Sequence, residues 1–199
     1  FDNKIKNQLR NYLFMQGILS NQTVWHTQTG GRTNKVWRLV GEQDLICKLY
    51  LDTATNPLFN NTPEAEYKCL LWLDGSDIAP QPYKYLKTPF GEVLMYNYIK
   101  GETWSNNVDT VSDLLTRIRK HKYLKGLRTL SNLPSDIKQK GLEIVNKLNN
   151  SHKNKLIKIC PDVSILDIEP VLLHTDVVPG NLILGEKGLR LIDWQCPAI

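Results

Sequence analysis

Four side chains near the end of this 199-residue chain have types and spacing suited to phosphate chemistry: His174, Asp176, Asn181 and Asp193. They lie in LLHTDVVPGNLILGEKGLRLIDW, from Leu172 to Trp194. An apolar run delivers His174 and Asp176, and a short loop with Pro179 and Gly180 leads to Asn181. Leu182 to Leu184 read as one strand and Leu189 to Ile192 as its partner. Gly185-Glu186-Lys187-Gly188 supplies the turn, with glycines where positive φ is expected. A turn centred near Lys187 sets Asn181 roughly opposite Asp193. The hairpin then returns a carboxylate to the end from which Asn181 departs, beside the loop carrying Asp176. Two carboxylates and an amide oxygen make a hard-oxygen set that suits Mg²⁺ and phosphate. A loop and hairpin whose Asp and Asn merely cap turns explains each residue singly, but explains their joint spacing poorly.

Several elements must position this segment. Asn3 to Leu19 has helical apolar spacing (Ile5, Leu9, Tyr12, Leu13) and a stop near Gly17. Val24–Thr27, Lys35–Val40 and Asp44–Tyr50 read as three short strands. Between the first two lies Gly30-Gly31-Arg32-Thr33-Asn34. Its glycines can bring backbone N–H groups close to phosphate oxygens because no Cβ intervenes, although a plain β-turn fits equally well. Asn60 to Leu73 reads as a helix with Thr62 as N-cap and Pro63 as its first residue. Glu66 shares a face with Leu70 and Leu73, so it is buried facing the sheet and needs a cation there. Glu64 points elsewhere. A strand before Gly91 and another from Glu92 to Ile99 follow. From Val108 the pattern turns helical, with Val111, Leu114, Leu115 and Ile118 on one stripe. Ser135 to Leu148 forms the next helix, which Asn149 to Ile159 continues or restarts.

The segment H-T-D-V-V-P-G-N followed by I-D-W resembles the catalytic segment of the aminoglycoside phosphotransferase and choline kinase family, relatives of the protein kinases. The Pro-Gly before Asn181 and the Trp after Asp193 lean toward the antibiotic-kinase branch. The resemblance implies an α+β, two-lobed protein-kinase-like fold: a small antiparallel sheet lobe and a helical lobe that is incomplete in this chain. The expected division is 1–99, nucleotide-binding, and 100–199, catalytic. It implies that Asp176 orients and deprotonates an acceptor hydroxyl, that Asn181 and Asp193 hold Mg²⁺, and that His174 buttresses the loop. Gly30 and Gly31 would cover the nucleotide, and Lys48 in L-I-C-K-L-Y would pair the ATP α- and β-phosphates. Glu66, ahead of Glu64, would be the partner of Lys48. Backbone groups among Tyr96, Asn97, Tyr98 and Ile99 would meet the adenine edge. The expected cofactors are ATP and Mg²⁺, and the partners are a nucleotide and a small-molecule hydroxyl acceptor. In that family the acceptor site is built largely after the metal-binding Asp, so the acceptor stays open. A nucleotide-binding pseudokinase acting as an interaction module is the competing reading, and the presence of Lys48, Asp176, Asn181 and Asp193 speaks against it.

Composition excludes other classes. Hydrophobic content of 41% and charged content of 23% are globular values. No apolar run approaches the roughly 20 residues that span a bilayer, and Phe1 to Arg10 lacks the apolar core of a signal peptide, so no membrane partner is expected. The net charge of +5 is spread, with Lys153, Lys155 and Lys158 on one helix, so no nucleic-acid partner is expected either. Cys47, Cys69, Cys160 and Cys196 are scattered, which favours reduced thiols in a cytoplasmic setting. The chain opens on Phe1 and stops soon after Asp193, so we expect a piece of a longer protein.

Overall fold

The computed structural model describes residues 2–28, 34–51, 61–121, 125–131, 134–147, 153–159 and 169–199. Gly30, Gly31 and Cys160, singled out above, lie outside the described residues. Helix α1 (Asp2–Met15) precedes strands β1 (Val24–Thr27), β2 (Asn34–Val40) and β3 (Asp44–Tyr50). Helix α2 (Pro63–Leu73) leads to β4 (Pro82–Thr88) and β5 (Gly91–Asn97). All five strands form one antiparallel sheet in the order β1-β2-β3-β5-β4. Then come β6 (Gly101–Thr103), helices α3 (Val108–Lys120), α4 (Pro134–Asn146) and α5 (Lys153–Ile159), and strands β7 (Leu182–Gly185) and β8 (Gly188–Leu191). The strands β6-β7-β8 make a second antiparallel sheet. This is the α+β architecture expected.

Pleat parity in β3 decides what each face of the large sheet carries, because successive side chains alternate across a strand. Leu45, Cys47 and Leu49 pack with Leu9 and Leu13 of α1, and Val93 and Met95 of β5 join them. Ile46 and Tyr50 point the other way, toward Cys69, Leu70 and Leu73 of α2. Lys48 shares that second face, so the sequence places a cation under α2. The same core continues through Leu114 and Ile118 of α3 to Leu182, Leu189, Leu191 and Trp194. It therefore passes across the expected boundary at 99/100. Leu115, assigned above to the buried stripe of α3, is 38% exposed, because its neighbours Leu114 and Ile118 already fill the contact.

The C-terminal hairpin is tied down at several points. The Trp104 N–H donates to Leu182 O (2.9 Å), the Leu191 N–H to Ile78 O (2.8 Å), and Arg117 to Leu189 O (3.0 Å). Its register differs by one residue from expectation. Gly185 pairs with Gly188, so Leu182 faces Leu191 and the Ile192 N–H donates to Asn181 O at 2.9 Å. Asn181 thus opposes Ile192, and Asp193 lies one residue further on. The reason is the two-residue turn Glu186-Lys187, with Gly188 alone taking positive φ (95°). Thr62 occupies the N-cap position of α2, but its side chain makes no capping bond.

Gly101 marks where the two sheets' connection meets the hairpin. A Cβ there would stand 2.3 Å from Leu184 O, against backbone that cannot swing aside. Gly141, inside α4, has nothing within 4 Å. Gly101→Ala is therefore expected to destabilise the protein by about 1–3 kcal/mol through overpacking. Gly141→Ala is expected to stabilise it by roughly 0.5–1 kcal/mol. Urea unfolding of both variants beside the wild type checks the contrast, and equal midpoints would refute the close approach.

Candidate active site

Lys48 is 2% exposed and Glu66 is fully buried, and their charged ends meet: Nζ lies 2.8 Å from Glu66 Oε2. The helical spacing that turns Glu66 inward with Leu70 and Leu73 and the strand parity that turns Lys48 toward α2 produce this contact together. Glu64 instead makes an exposed i,i+4 pair with Lys68. The Tyr50 hydroxyl, two residues beyond Lys48 on the same strand face, also donates to Glu66 Oε2. Burial alone would lower the ammonium pKa, but Glu66 and Asp193 overcome it and hold Lys48 above its usual value, fully charged. Lys48 Nζ also donates to Asp193 Oδ1 at 2.5 Å. An ammonium has three N–H groups, so two are engaged here and the third can meet a further acceptor.

The loop after Leu172 is organised by His174. Its buried Nε2–H donates to Ile192 O (2.9 Å), while Nδ1 accepts from the Asp176 N–H (3.3 Å). The ring stands edge-on to Trp194, 4.5 Å between centroids. Burial drives the imidazole pKa down to about 4, so His174 is neutral and structural at pH 7. Thr175 takes φ = 69°, held by its hydroxyl donating to Cys196 O (2.8 Å). A 3₁₀ turn over Pro179–Asn181 then brings Asn181 back onto Asp176. The Asn181 Nδ2 donates to Asp176 O (3.0 Å) and Oδ2 (3.1 Å), which leaves Oδ1 as its remaining acceptor.

Lys48, Asp176, Asn181 and Asp193 line one cleft of about 700 Å³, and Tyr96, Asn97, Tyr98 and Ile99 line its other end. Glu66 sits behind Lys48, outside the lining. At the far end the Asn97 N–H donates to Gln81 O (2.9 Å) and the Tyr98 N–H to Asp44 O (2.8 Å), so both are spent within the large sheet. Asp44 also binds Arg38 through both carboxylate oxygens (2.8 and 2.6 Å), and the Arg38 guanidinium lies 3.8 Å over the Tyr98 ring. Sequence reasoning missed Arg38, Asp44 and Tyr50. Only Tyr50 carried a signal, its i+2 spacing from Lys48.

Among the described residues, no group of three or more His, Cys, Asp or Glu side chains could hold a metal ion. The cleft offers two hard oxygens instead, Asn181 Oδ1 and the free oxygen of Asp193. That is the donor set by which Mg²⁺ is bound when phosphates and waters supply its other ligands.

No protein-family model matches the chain. Thiamine kinase from Escherichia coli O1:K1 / APEC is 26% identical over 141 residues, which cover 65% of this chain and 46% of the relative. The chain spans about half the length of the curated relatives it matches. Macrolide 2'-phosphotransferase MphH from Brachybacterium faecium has a TM-score of 0.65 at 13% identity, covering 96% of this chain and 72% of its own. Choline kinase LicA from Streptococcus pneumoniae has a TM-score of 0.60 at 18% identity, covering 96% and 69%. The fold is that of the protein-kinase-like small-molecule kinases. That likeness of fold extends along 96% of the chain.

The neutral His174 makes the kinase-like fold acid-sensitive. Its folded pKa lies below the unfolded value of 6.5, so the stability it contributes is present above pH 6.5 and is lost as pH falls toward about 4. The full effect of that shift is on the order of 3 kcal/mol. Urea unfolding between pH 7.5 and pH 4.5 should show stability falling, with a shallower slope in His174→Gln. Parallel slopes in wild type and variant would remove His174 as the source.

Proposed function

We propose that this chain is the nucleotide-binding and base-bearing part of an ATP-dependent phosphotransferase that moves the γ-phosphoryl group to a hydroxyl of a small molecule. The observation that carries the reading is the convergence of Lys48, Asp176, Asn181 and Asp193 on one cleft, with Lys48 held from behind by Glu66. In this reading residues 1–99 form the nucleotide lobe and 100–199 the catalytic lobe. The free N–H of Lys48 meets the α- and β-phosphates. Asn181 Oδ1 and Asp193 hold Mg²⁺, which when bound neutralises charge on the phosphates. Asp176, oriented by the Asn181 amide, accepts the acceptor's hydroxyl proton. The adenine edge lies along Tyr96–Ile99, where Ile99 supplies the backbone donor, because Asn97 and Tyr98 have spent theirs.

The acceptor class is a small-molecule hydroxyl. The relatives and structural neighbours are named thiamine kinase, macrolide 2'-phosphotransferase and choline kinase. Among the described residues, no helix is long and apolar enough to cross a membrane. Cys47, Cys69 and Cys196 are buried, in keeping with a reducing, cytoplasmic setting.

The test uses the complete protein with Mg·ATP and a panel of amino-alcohols, sugars, thiamine, macrolides and aminoglycosides. Asp176→Asn keeps the shape and loses the proton acceptor. Turnover should fall by about 10²–10⁴-fold, roughly 3–5 kcal/mol of barrier, with ATP affinity within a few-fold. A wild type that binds Mg·ATP and phosphorylates nothing on a broad panel, with Asp176→Asn altering only partner binding, returns the interaction-module reading.

Metal dependence separates the two candidate ligands. Asp193→Ala should weaken Mg²⁺-dependent ATP binding more than Asn181→Ala, since it removes a formal charge as well as a donor oxygen. Titration calorimetry at several Mg²⁺ concentrations reads this directly. An unchanged Mg²⁺ dependence in Asp193→Ala would take Asp193 out of the metal site.

A further inference from the structure

Three carboxamides from distant parts of the chain meet beside the cleft. Asn34, which opens β2, is 5% exposed. Its Nδ2 donates to Asn61 Oδ1 (2.9 Å) and to Gln195 Oε1 (3.1 Å). Its Oδ1 accepts from Asn61 Nδ2 at 2.8 Å. Both hydrogens and the oxygen of one buried amide are thus used. No other side chain of this size supplies two donors and an acceptor in that arrangement: Asp lacks the donors and Leu lacks both. A backbone bond runs alongside, from the Thr62 N–H to Gln195 O at 3.5 Å.

The partners' positions give the triad its meaning. Asn61 lies just before Thr62, the N-cap of α2, whose first turn closes with the Glu66 N–H on Thr62 O (3.1 Å). Gln195 stands two residues after Asp193, and Asn34 and Gln195 both line the cleft. Asn34 therefore ties the start of the helix that carries Glu66 to the segment that carries Asp193, on the side of the cleft away from Tyr96–Ile99. We propose that Asn34, Asn61 and Gln195 form an amide latch that fixes Glu66 and Asp193 about Lys48, so that the phosphate- and metal-binding end of the cleft is preset before nucleotide arrives. These are positioning residues, and their role rests on the phosphotransferase reading above.

Two near-isosteric changes break the latch from different sides. Gln195→Met removes the acceptor from Gln195 at almost constant volume, and Asn61→Leu removes the reciprocal pair. Both sites are half-buried, and if one variant fails to fold the other carries the test alone. Calorimetry on the full-length protein compares the Kd for Mg·ATP with the Kd for adenosine, which has no phosphates and takes no metal. The latch predicts about a tenfold loss of Mg·ATP affinity in each variant, the size of effect expected from an unsatisfied buried polar group, with adenosine affinity unchanged. Because both act through Asn34, the double variant should lose less than the product of the single losses. Parallel losses for the two ligands mean general loosening and overturn the latch, as does a folded variant with unchanged Mg·ATP affinity. A wild type that gains no affinity from phosphates and Mg²⁺ overturns the phosphotransferase reading first and the latch with it.

Discussion

A buried ion pair constrains this molecule more than any other single contact. Lys48 and Glu66 are both withdrawn from water, at a desolvation cost of several kcal/mol per ion, and each is tolerated only because the other is there. Losing one partner from such a pair costs about 3–5 kcal/mol, whereas replacing both by apolar groups is often neutral or better. The pair is therefore poorly explained as a source of stability. It makes sense as a device for holding a cation at a fixed place on a cleft wall. Everything near it must agree: the parity of β3, the inward face of α2, and the hairpin that brings Asp193 within 2.5 Å of the same nitrogen.

Backbone strain sits at the same place. Thr175 and Asp193 both adopt positive φ, 69° and 66°, and a β-branched residue in that region is an outlier. Such conformations cost on the order of 1–3 kcal/mol and persist where the surroundings over-determine them. Here the surroundings are visible. The Thr175 hydroxyl is fastened to Cys196 O, His174 to Ile192 O, and Trp194 Nε1–H to Leu191 O at 2.7 Å. Two segments 18 residues apart thus hold each other in shapes neither would adopt alone, and the side chains they release, Asp176 and Asp193, line the cleft.

How much of this was legible follows from the range of each interaction. Period-2 and period-3.6 patterns gave the strands and helices, and Glu66 could be placed inside because its neighbours four and seven residues on are apolar. The joint spacing of Asp176, Asn181 and Asp193 exposed the hairpin, since a tight turn fixes both strands at once. The one-residue slip in register arose because the number of turn residues decides pairing and four polar or glycine residues allow more than one count. Asn34, Asn61 and Gln195 left no trace in any local pattern. Their contacts span 27 and 161 residues, and an amide looks the same in a turn as in a network. The backbone donors at Asn97 and Tyr98 were equally hidden, because their use depends on which strands flank β5.

Charge explains why the cleft's parts belong together. Two carboxylates meet Lys48, Glu66 from behind the cleft wall and Asp193 on it, and Asp176 lines the same cleft, so the four groups together carry a formal charge of about −2. A polyphosphate entering such a site meets net repulsion, and at short range in a partly buried cleft that repulsion is screened poorly. One lysine, two-thirds occupied by its own carboxylates, is too little to reverse it. On the phosphotransferase reading proposed above, a divalent cation held by Asn181 and Asp193 would offset the excess, and Lys48 would be left to favour the phosphates. In that reading the acidic residues act as a set with the metal. Asp193, in the same phosphotransferase reading, serves two cations, Lys48 through Oδ1 and Mg²⁺ through its other oxygen.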